Sequence, residues 1–302
     1  MGRAKEEDRR KIVIFHKSVL LHKTLDFLNP KSGDLFIDAT AGGGGHTFEL
    51  LRRGARVLAI DRDQEAIEQI RSKREIDGHL TLVKGNFANI GQIARANGFE
   101  KVNGILFDLG VSSYQLDTPE RGFSFQKEGP LDMRMDPDLN LTAGEIVNRF
   151  ERRRLYEIFK TFGQEKFSRA ISKAICSARQ IKPIETTAEL AQIIKYAVPR
   201  GVGKNKRKVH PATKAFQALR IVVNSELLNL EEALVQTQEL LKIDGRLVII
   251  SFHSLEDEIV KRFFKQNKNF NILTKKPIGP EEIEINQNPR ARSAKLRAAV
   301  RI

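Results

Sequence analysis

The chain has 302 residues, 52 Lys and Arg against 38 Asp and Glu, a formal net charge of +14 and a hydrophobic fraction of 40%. That apolar content is enough for a core and sets disorder aside, while the cationic excess favours a polyanionic partner, nucleic acid first and an anionic membrane surface second. No apolar run reaches the ~18 residues needed to span a bilayer, Met1 to Lys11 lacks the apolar stretch of a signal peptide, and the one cysteine, Cys176, excludes an internal disulfide and a cysteine-rich zinc cluster.

A protein of the reducing cytoplasm is therefore expected, with no metal ligands assigned. In chain order, the first apolar run, Leu35 to Ile37, ends in Asp38, and four consecutive glycines, Gly42 to Gly45, precede His46 and an amphipathic segment. The pattern predicts a buried strand, a tight turn and a helix, with glycines where a Cβ would keep the backbone away from a ligand. A second apolar strand, Val57 to Ile60, ends in Asp61. An acid about 20 residues beyond a glycine turn is placed to accept hydrogen bonds from ribose hydroxyls. The dinucleotide fingerprint G-x-G-x-x-G is absent, because the sixth position from Gly42 is Thr47 and from Gly43 is Phe48. No Gly-Lys-Ser or Gly-Lys-Thr supplies a phosphate loop. A nucleoside cofactor without pyrophosphate fits better, S-adenosylmethionine being the common one. The glycine turn and Asp38 would take its carboxylate and amino groups.

Leu80 to Val83 and Gly104 to Asp108 continue the series of short apolar strands. In an open parallel sheet ligands sit at the carboxyl ends of such strands, so Phe87 is placed to stack on adenine and Asp108 to reach the reaction centre. From Pro119 to Lys208 the alternation stops and helical spacing takes over. Thr142 and Glu145 have capping-box spacing, Phe167 to Ala178 recur as a helical stripe that includes Cys176, and Thr187 is read as the cap of a helix carrying Leu190 and Ile194. Phe216 to Leu230 reads as a long helix broken near Asn229. A turn at Asp244-Gly245, a strand from Arg246 to Phe252, a helix around Ile259 to Phe264 and a closing strand from Leu296 follow. The predicted organisation is an α/β, Rossmann-like sheet in two segments, 1–118 and 211–302, with an all-helical insert over 119–210.

Seven segments are more specific than a fold. They are Gly44-Gly-His46, Asp61-Arg-Asp63, Asp108 to Asp117, Arg121-Gly-Phe-Ser-Phe125 with Gly129 to Asp136, His210-Pro-Ala-Thr213 with Phe216 to Ile221, Ser251 to Asp257, and Asn288 to Arg297. Together they closely resemble the ribosomal small-subunit RNA (cytosine-N4)-methyltransferase family, the RsmH or MraW type, from about His16 to Arg301. The resemblance implies a class I S-adenosylmethionine-dependent methyltransferase fold with an inserted helical domain. It implies methyl transfer to N4 of a cytosine in the decoding region of 16S rRNA, with 16S rRNA or the 30S subunit as partner; a homodimer is left open. Carried over by position, the cofactor contacts fall on Gly44, Gly45, His46, Asp61, Phe87, Asp108 and Gln115. The chain departs from the family at Gln164 and at Glu258.

For the chemistry, Asp108 is the first choice to hold the cytosine amine, with Ser112 and Ser113 as further acceptors. The alternative for Asp108 is that it binds only the cofactor's amino group. His253, just past a strand end and near Glu256 and Asp257, is read as a proton acceptor or relay, or else as a brace for the next helix. Phe123, Phe125 and Tyr114 are candidates for a wall that stacks an extruded base, or ordinary core. Arg152 to Arg154, Lys204 to Lys208, Arg290, Arg292, Lys295 and Arg297 are candidates for gripping phosphates. A methyltransferase for small molecules or proteins, and an RNA-binding module without activity, are the rival readings.

Overall fold

Alternate residues of a strand face opposite sides of its sheet, and in this protein both sides are apolar. Phe36, Val57, Ala59, Leu106, Val248 and Ile250 belong to one apolar cluster. Their neighbours Ile37, Leu58, Ile60, Ile105, Phe107, Leu247 and Ile249 belong to another. A sheet buried on both faces needs helices on both faces, as in parallel α/β folds. The computed structural model of the protein describes residues 18–73, 78–199 and 210–302. The segment Met1 to Lys11 and the basic run Lys204 to Lys208 lie outside the described residues.

The strands β1 (Leu35–Asp38), β2 (Arg56–Asp61), β3 (Leu80–Lys84), β4 (Val102–Asp108), β5 (Leu241–Ser251), β6 (Phe270–Ile272) and β7 (Lys295–Arg301) form one sheet in the order β3-β2-β1-β4-β5-β7-β6. The first five run parallel, and β7 is antiparallel to both β5 and β6. The order reverses between β1 and β4, which opens a crevice at the carboxyl ends of those strands. The strands read from the sequence are all present. Asp244-Gly245, expected as a turn ahead of the strand, lies instead inside β5. There Asp244 has φ 64° and the pairing with β4 slips between Val102 and Gly104.

Helices α1 (Leu21–Leu28), α2 (Gly45–Arg52), α3 (Gln64–Arg71), α4 (Ile90–Ala96) and α5 (Ser113–Asp117) accompany the first strands. Then come α6 (Ala143–Arg149), α7 (Arg152–Thr161), α8 (Ser168–Arg179) and α9 (Thr187–Ala197), with no named strand among the described residues between them. Thr142 and Glu145 form the expected capping box on α6. On α9 the cap is Thr186, paired with Glu189, one residue earlier than the sequence suggests. Thr187 is the first helical residue. Its hydroxyl accepts from the Gly129 N–H and donates to the Lys127 carbonyl, tying α9 to the loop before it.

The long helix expected over Phe216 to Leu230 is two helices, α10 (Thr213–Asn224) and α11 (Glu226–Leu240), and α12 (Ser254–Gln266) and α13 (Glu282–Gln287) follow. The break is at Ser225, in the left-handed region at φ 49°, rather than at Asn229. Asn229 instead donates its side-chain N–H to the Asn224 carbonyl and braces the corner. A third apolar cluster unites α6 to α9 with Leu131, Met133 and Met135, and it takes Ala215, Phe216 and Leu219 from α10 as well. Cys176 packs against it, partly buried.

Candidate active site

The glycine turn leaves β1 and enters α2 at the crevice. Asp38, buried at the end of β1, accepts from the Thr47 hydroxyl at 2.7 Å and the Thr40 N–H at 3.2 Å. Burial pushes its carboxyl up to about 6 in spite of those bonds, with the Asp61 charge adding to the rise. Asp38 therefore locks the turn and does not face the cavity, contrary to the role of cofactor acid that its place in the sequence suggested. Two of the glycines serve the protein's own packing. Gly44 has φ 81°, and a Cβ there would come within 2.5 Å of the Phe48 ring. A Cβ on Gly45 would come within 1.8 Å of the Ser18 hydroxyl. At Gly43 a Cβ would meet nothing within 4 Å, and this residue lines the cavity.

One cavity collects most of the residues read from the sequence: Gly45, His46, Asp61, Phe87, Asp108, Ser113 and Gln115. Asp61 closes β2, accepting from the Gly42 N–H and the Asp63 N–H, both at 2.8 Å. Each oxygen keeps a second lone pair, so the carboxylate is held in place and can still accept from a ligand. Phe87 follows β3, packed edge-on against Phe107 with ring centroids 5.7 Å apart and with the Arg62 guanidinium 5.7 Å from its ring. Gln115 is fully engaged on one side. Its Oε1 accepts from the Ser112 N–H in a capping box, and its Nε2 donates to Asp63 Oδ2 at 2.7 Å.

Asp108 closes β4. One carboxylate oxygen lies 3.6 Å from His46 Nδ1. The other, Oδ1, is buried and hydrogen-bonds to nothing among the described residues. Burial raises this carboxyl well above the usual range, and the charges of Asp38 and Glu256 raise it further.

The same cavity is lined by charged groups that sequence reasoning passed over: Arg62, Arg220 and Glu226. Arg220 grips Glu226 through Nε and Nη2, each at 2.8 Å. Glu256 stands beside them, pushed up to about 7 by burial, with Glu226 adding to the rise and Arg220 opposing it. The signal in the sequence was an arginine set between apolar Leu219 and Ile221 on a helix otherwise rich in core residues, with a glutamate six positions on.

His253 does not line the cavity, and neither does Gly44. His253 caps α12: Nδ1 accepts from the Glu256 N–H, and Glu256 Oε2 accepts in return from the Phe252 and His253 N–H groups. Burial and the charges of Arg220 and Lys295 lower its imidazole to about 3, so it stays neutral near pH 7. Its Nε2 lies 3.3 Å from Glu256 Oε1. The histidine thus braces a carboxyl that does face the cavity. Glu226, His253 and Glu256 also have the spacing of a cation site, but the Arg220 guanidinium already neutralises Glu226 there.

Of the aromatic candidates, Phe123 and Phe125 belong to the helical cluster, and Phe125 packs on His210 and Phe216. Tyr114 is exposed. Of the basic candidates, Arg152 to Arg154 are exposed at the start of α7. Arg290 pairs with Asp117 at the cavity mouth. Arg297 is buried and bound to Asp257 through two nitrogens, which removes it from the phosphate-binding set. Gln164, at φ 46°, accepts from the Ser254 hydroxyl and so joins the helical region to α12.

A parallel sheet in this order, closed by an antiparallel seventh strand, with a glycine turn facing the acid that ends β2, defines a class I, Rossmann-like methyltransferase. More narrowly, the chain belongs to the MraW methylase family, whose sequence profile matches residues 13–302. It is 45% identical over 307 residues to the Ribosomal RNA small subunit methyltransferase H of Carboxydothermus hydrogenoformans, covering 95% of this chain and 98% of that one. It is 46% identical over 309 residues to the protein of the same name from Halothermothrix orenii, again over 95% and 98%. A solved structure of an rRNA methylase from Streptococcus thermophilus superposes with a TM-score of 0.46 at 13% identity, covering 95% of this chain and 99% of that one. No helix among the described residues is long and apolar enough to cross a membrane.

Proposed function

We propose that the protein methylates N4 of a cytosine in the decoding region of small-subunit rRNA, cytosine 1402 in the numbering of family members, with S-adenosylmethionine as donor. The observation that carries this reading is the pairing of two strand-end carboxylates on one cavity: Asp61, held by backbone N–H groups, and Asp108, with an unsatisfied buried oxygen. The cavity fits the donor. Asp61 keeps lone pairs for ribose hydroxyls, Phe87 on the same cavity is the residue to stack on adenine, and Gly43 leaves open space where a side chain would intrude. When bound, S-adenosylmethionine supplies an electrophilic methyl group on a sulfonium centre.

The exocyclic amine of cytosine is a poor nucleophile, because its lone pair is delocalised into the ring. Placement therefore carries much of the rate; effective molarities of about 10⁵ M or more are attainable. Asp108 Oδ1 accepts one N4–H and directs the lone pair. When the amine takes up the methyl group, its departing N4 proton would pass to this carboxylate. Once ionised, a carboxyl whose pKa is raised by burial is a stronger base than an ordinary one. Ser113, buried at the start of α5 on the same wall, is the further acceptor for the amine. His253 acts through Glu256 and positions it. The partner is 16S rRNA or the 30S subunit in the cytoplasm, gripped through the exposed arginines of α7.

Transfer of labelled methyl groups to undermodified 30S subunits, set beside free nucleosides and a protein mixture, tests the reading. Label on the rRNA at a cytosine amine is the expected result. Label on protein, or none anywhere, would overturn it.

A further inference from the structure

We propose that Arg220 reads the target base, donating from Nη1 to ring atom N3 of the cytosine, and that Glu226 holds the guanidinium at the angle this requires. The inference rests on the reading of the cavity as the methyl-acceptor pocket and deepens it from the amine to the rest of the base edge.

The fork is side-on. Nε and Nη2 of Arg220 are both taken by Glu226, and such a grip leaves Nη1 on the far edge of the guanidinium plane. Among the described residues Nη1 hydrogen-bonds to nothing, and Arg220 lines the cavity. A buried ion pair is seldom the most stable filling for its space, since apolar residues of like volume serve as well or better. Its presence on a cavity wall points to a ligand.

The pair is built with care for position. Glu226 lies six positions after Arg220, and the left-handed Ser225 folds α11 back so that the two side chains meet. The preceding Asn224 is anchored on every side. Its Oδ1 accepts from the Met135 N–H, its Nδ2 donates to the Met133 carbonyl, and its own carbonyl accepts from Arg62. The corner that carries Arg220 is therefore fixed to the helical region and to the residue that follows Asp61.

Chemistry then selects the base. Asp108, Glu256 and Arg220 line the same cavity, and the charge of Glu256 acts on Asp108 while that of Arg220 acts on Glu256. In a pyrimidine whose exocyclic amine sits at Asp108, ring position 3 is next along the same edge, where Arg220 of the same cavity would meet it. Cytosine has a bare nitrogen acceptor at N3, and uracil has an N–H donor. Arginine carries donors only. Cytosine is accepted there, and uracil meets donor against donor. A site built to hydrogen-bond one edge rejects the wrong edge far more strongly than an apolar pocket does.

The experiment is a cycle between protein and substrate atom. Small subunits are assembled with rRNA carrying cytidine or 3-deazacytidine at the target position; the analogue keeps the amine and replaces N3 by C–H. The protein is wild type or Arg220→Met with Glu226→Gln, which removes the ion pair without stranding a charge. For wild type, kcat/KM should fall by about 10- to 100-fold on the analogue, the range for a buried hydrogen bond from a charged donor. The double variant should lose a similar factor on cytidine and lose nothing further on 3-deazacytidine. Multiplicative losses would overturn the contact. Should the double variant fail to fold, Glu226→Gln alone must shrink the cytidine to 3-deazacytidine ratio, and an unchanged ratio would equally overturn it. Wild-type protein that methylates neither subunit would instead bring down the functional reading beneath it.

Discussion

Arg121 Nη1 lies 2.9 Å from Asp63 Oδ2, and this contact ties the helical region to the residue whose N–H holds the Asp61 carboxylate. The same guanidinium bonds Glu65 and donates to the carbonyls of Arg134 and Met135. Asp63 meanwhile caps α3 through its other oxygen and receives Gln115. Arg121→Ala leaves a buried carboxylate partly uncompensated, a loss of about 3 kcal/mol. Denaturant unfolding should show that loss, and calorimetry should show weaker donor binding in the same variant. Donor affinity equal to wild type would mean that the two regions are not coupled through this residue.

Asp61→Ala addresses the donor site by itself. The carboxylate organises Gly42 and Asp63 and faces the cavity, whereas the arginines of α7 lie on a separate element. S-adenosylmethionine binding should drop by at least about tenfold, one charge-assisted hydrogen bond being worth ~1.5 kcal/mol or more, and RNA affinity should hold. Equal loss of both affinities would contradict this division of the surface.

Glu256 gives the pH dependence. Its folded-state value of about 7 lies above the ordinary 4.5. The folded state thus holds its proton more tightly than the unfolded state does. The stability it contributes is fully present below pH 4.5 and is lost as pH rises toward 7. Over that interval the loss is on the order of 3 kcal/mol. Glu256→Gln keeps an acceptor for the Phe252 and His253 N–H groups and removes the titration. Relative to wild type, the variant should be more stable at pH 8 and no more stable at pH 4. Parallel curves of unfolding free energy against pH would disprove the assignment.

Arg152, Arg153 and Arg154 open α7 at its positive end, after Glu151, whose side chain makes no capping bond. Cations at a helix N-terminus are unfavourable by a few tenths of a kcal/mol each; Arg153 recovers part of this through Glu157 one turn on, so the placement of Arg152 and Arg154 serves something other than the helix. Replacing all three with Gln should raise the melting temperature slightly. It should also flatten the plot of log K against log salt for rRNA binding, by about 0.7 to 0.9 for each phosphate the variant no longer neutralises. A slope that stays put would move the grip elsewhere.

The strand-end side of this cavity was legible in the sequence because local pattern dictates it. Apolar strands that end in Asp61 and Asp108 can be read residue by residue, and their cavity positions follow from the sheet. Glycine chemistry was legible only in part. The turn was visible, but that Gly44 answers to Phe48 and Gly45 to Ser18 depends on packing that spacing does not encode. Thr186 and Thr187 were equally good caps by residue type, and the bonds of Thr187 to Gly129 and Lys127 decided between them. The charged pair in the cavity was hidden for a different reason. Arg220 and Glu226 become a pair only through the conformation of Ser225, a residue whose type carries no signal for a left-handed corner. His253 could be read as a relay or as a brace, and only the folded chain shows its Nδ1 capping the first turn of α12 with the ring outside the cavity lining.

The corner at Asn224 and Ser225 also bears on engineering. Excising the span from Pro119 to His210 and splicing the flanks would delete Met133 and Met135, the partners of the Asn224 side chain, and would strip the apolar cover from Phe216 and Leu219. Such a truncated chain would not be a minimal methyltransferase. It would be an aggregating fragment, and a chimaera that swaps this span between relatives would have to carry α10 along with it.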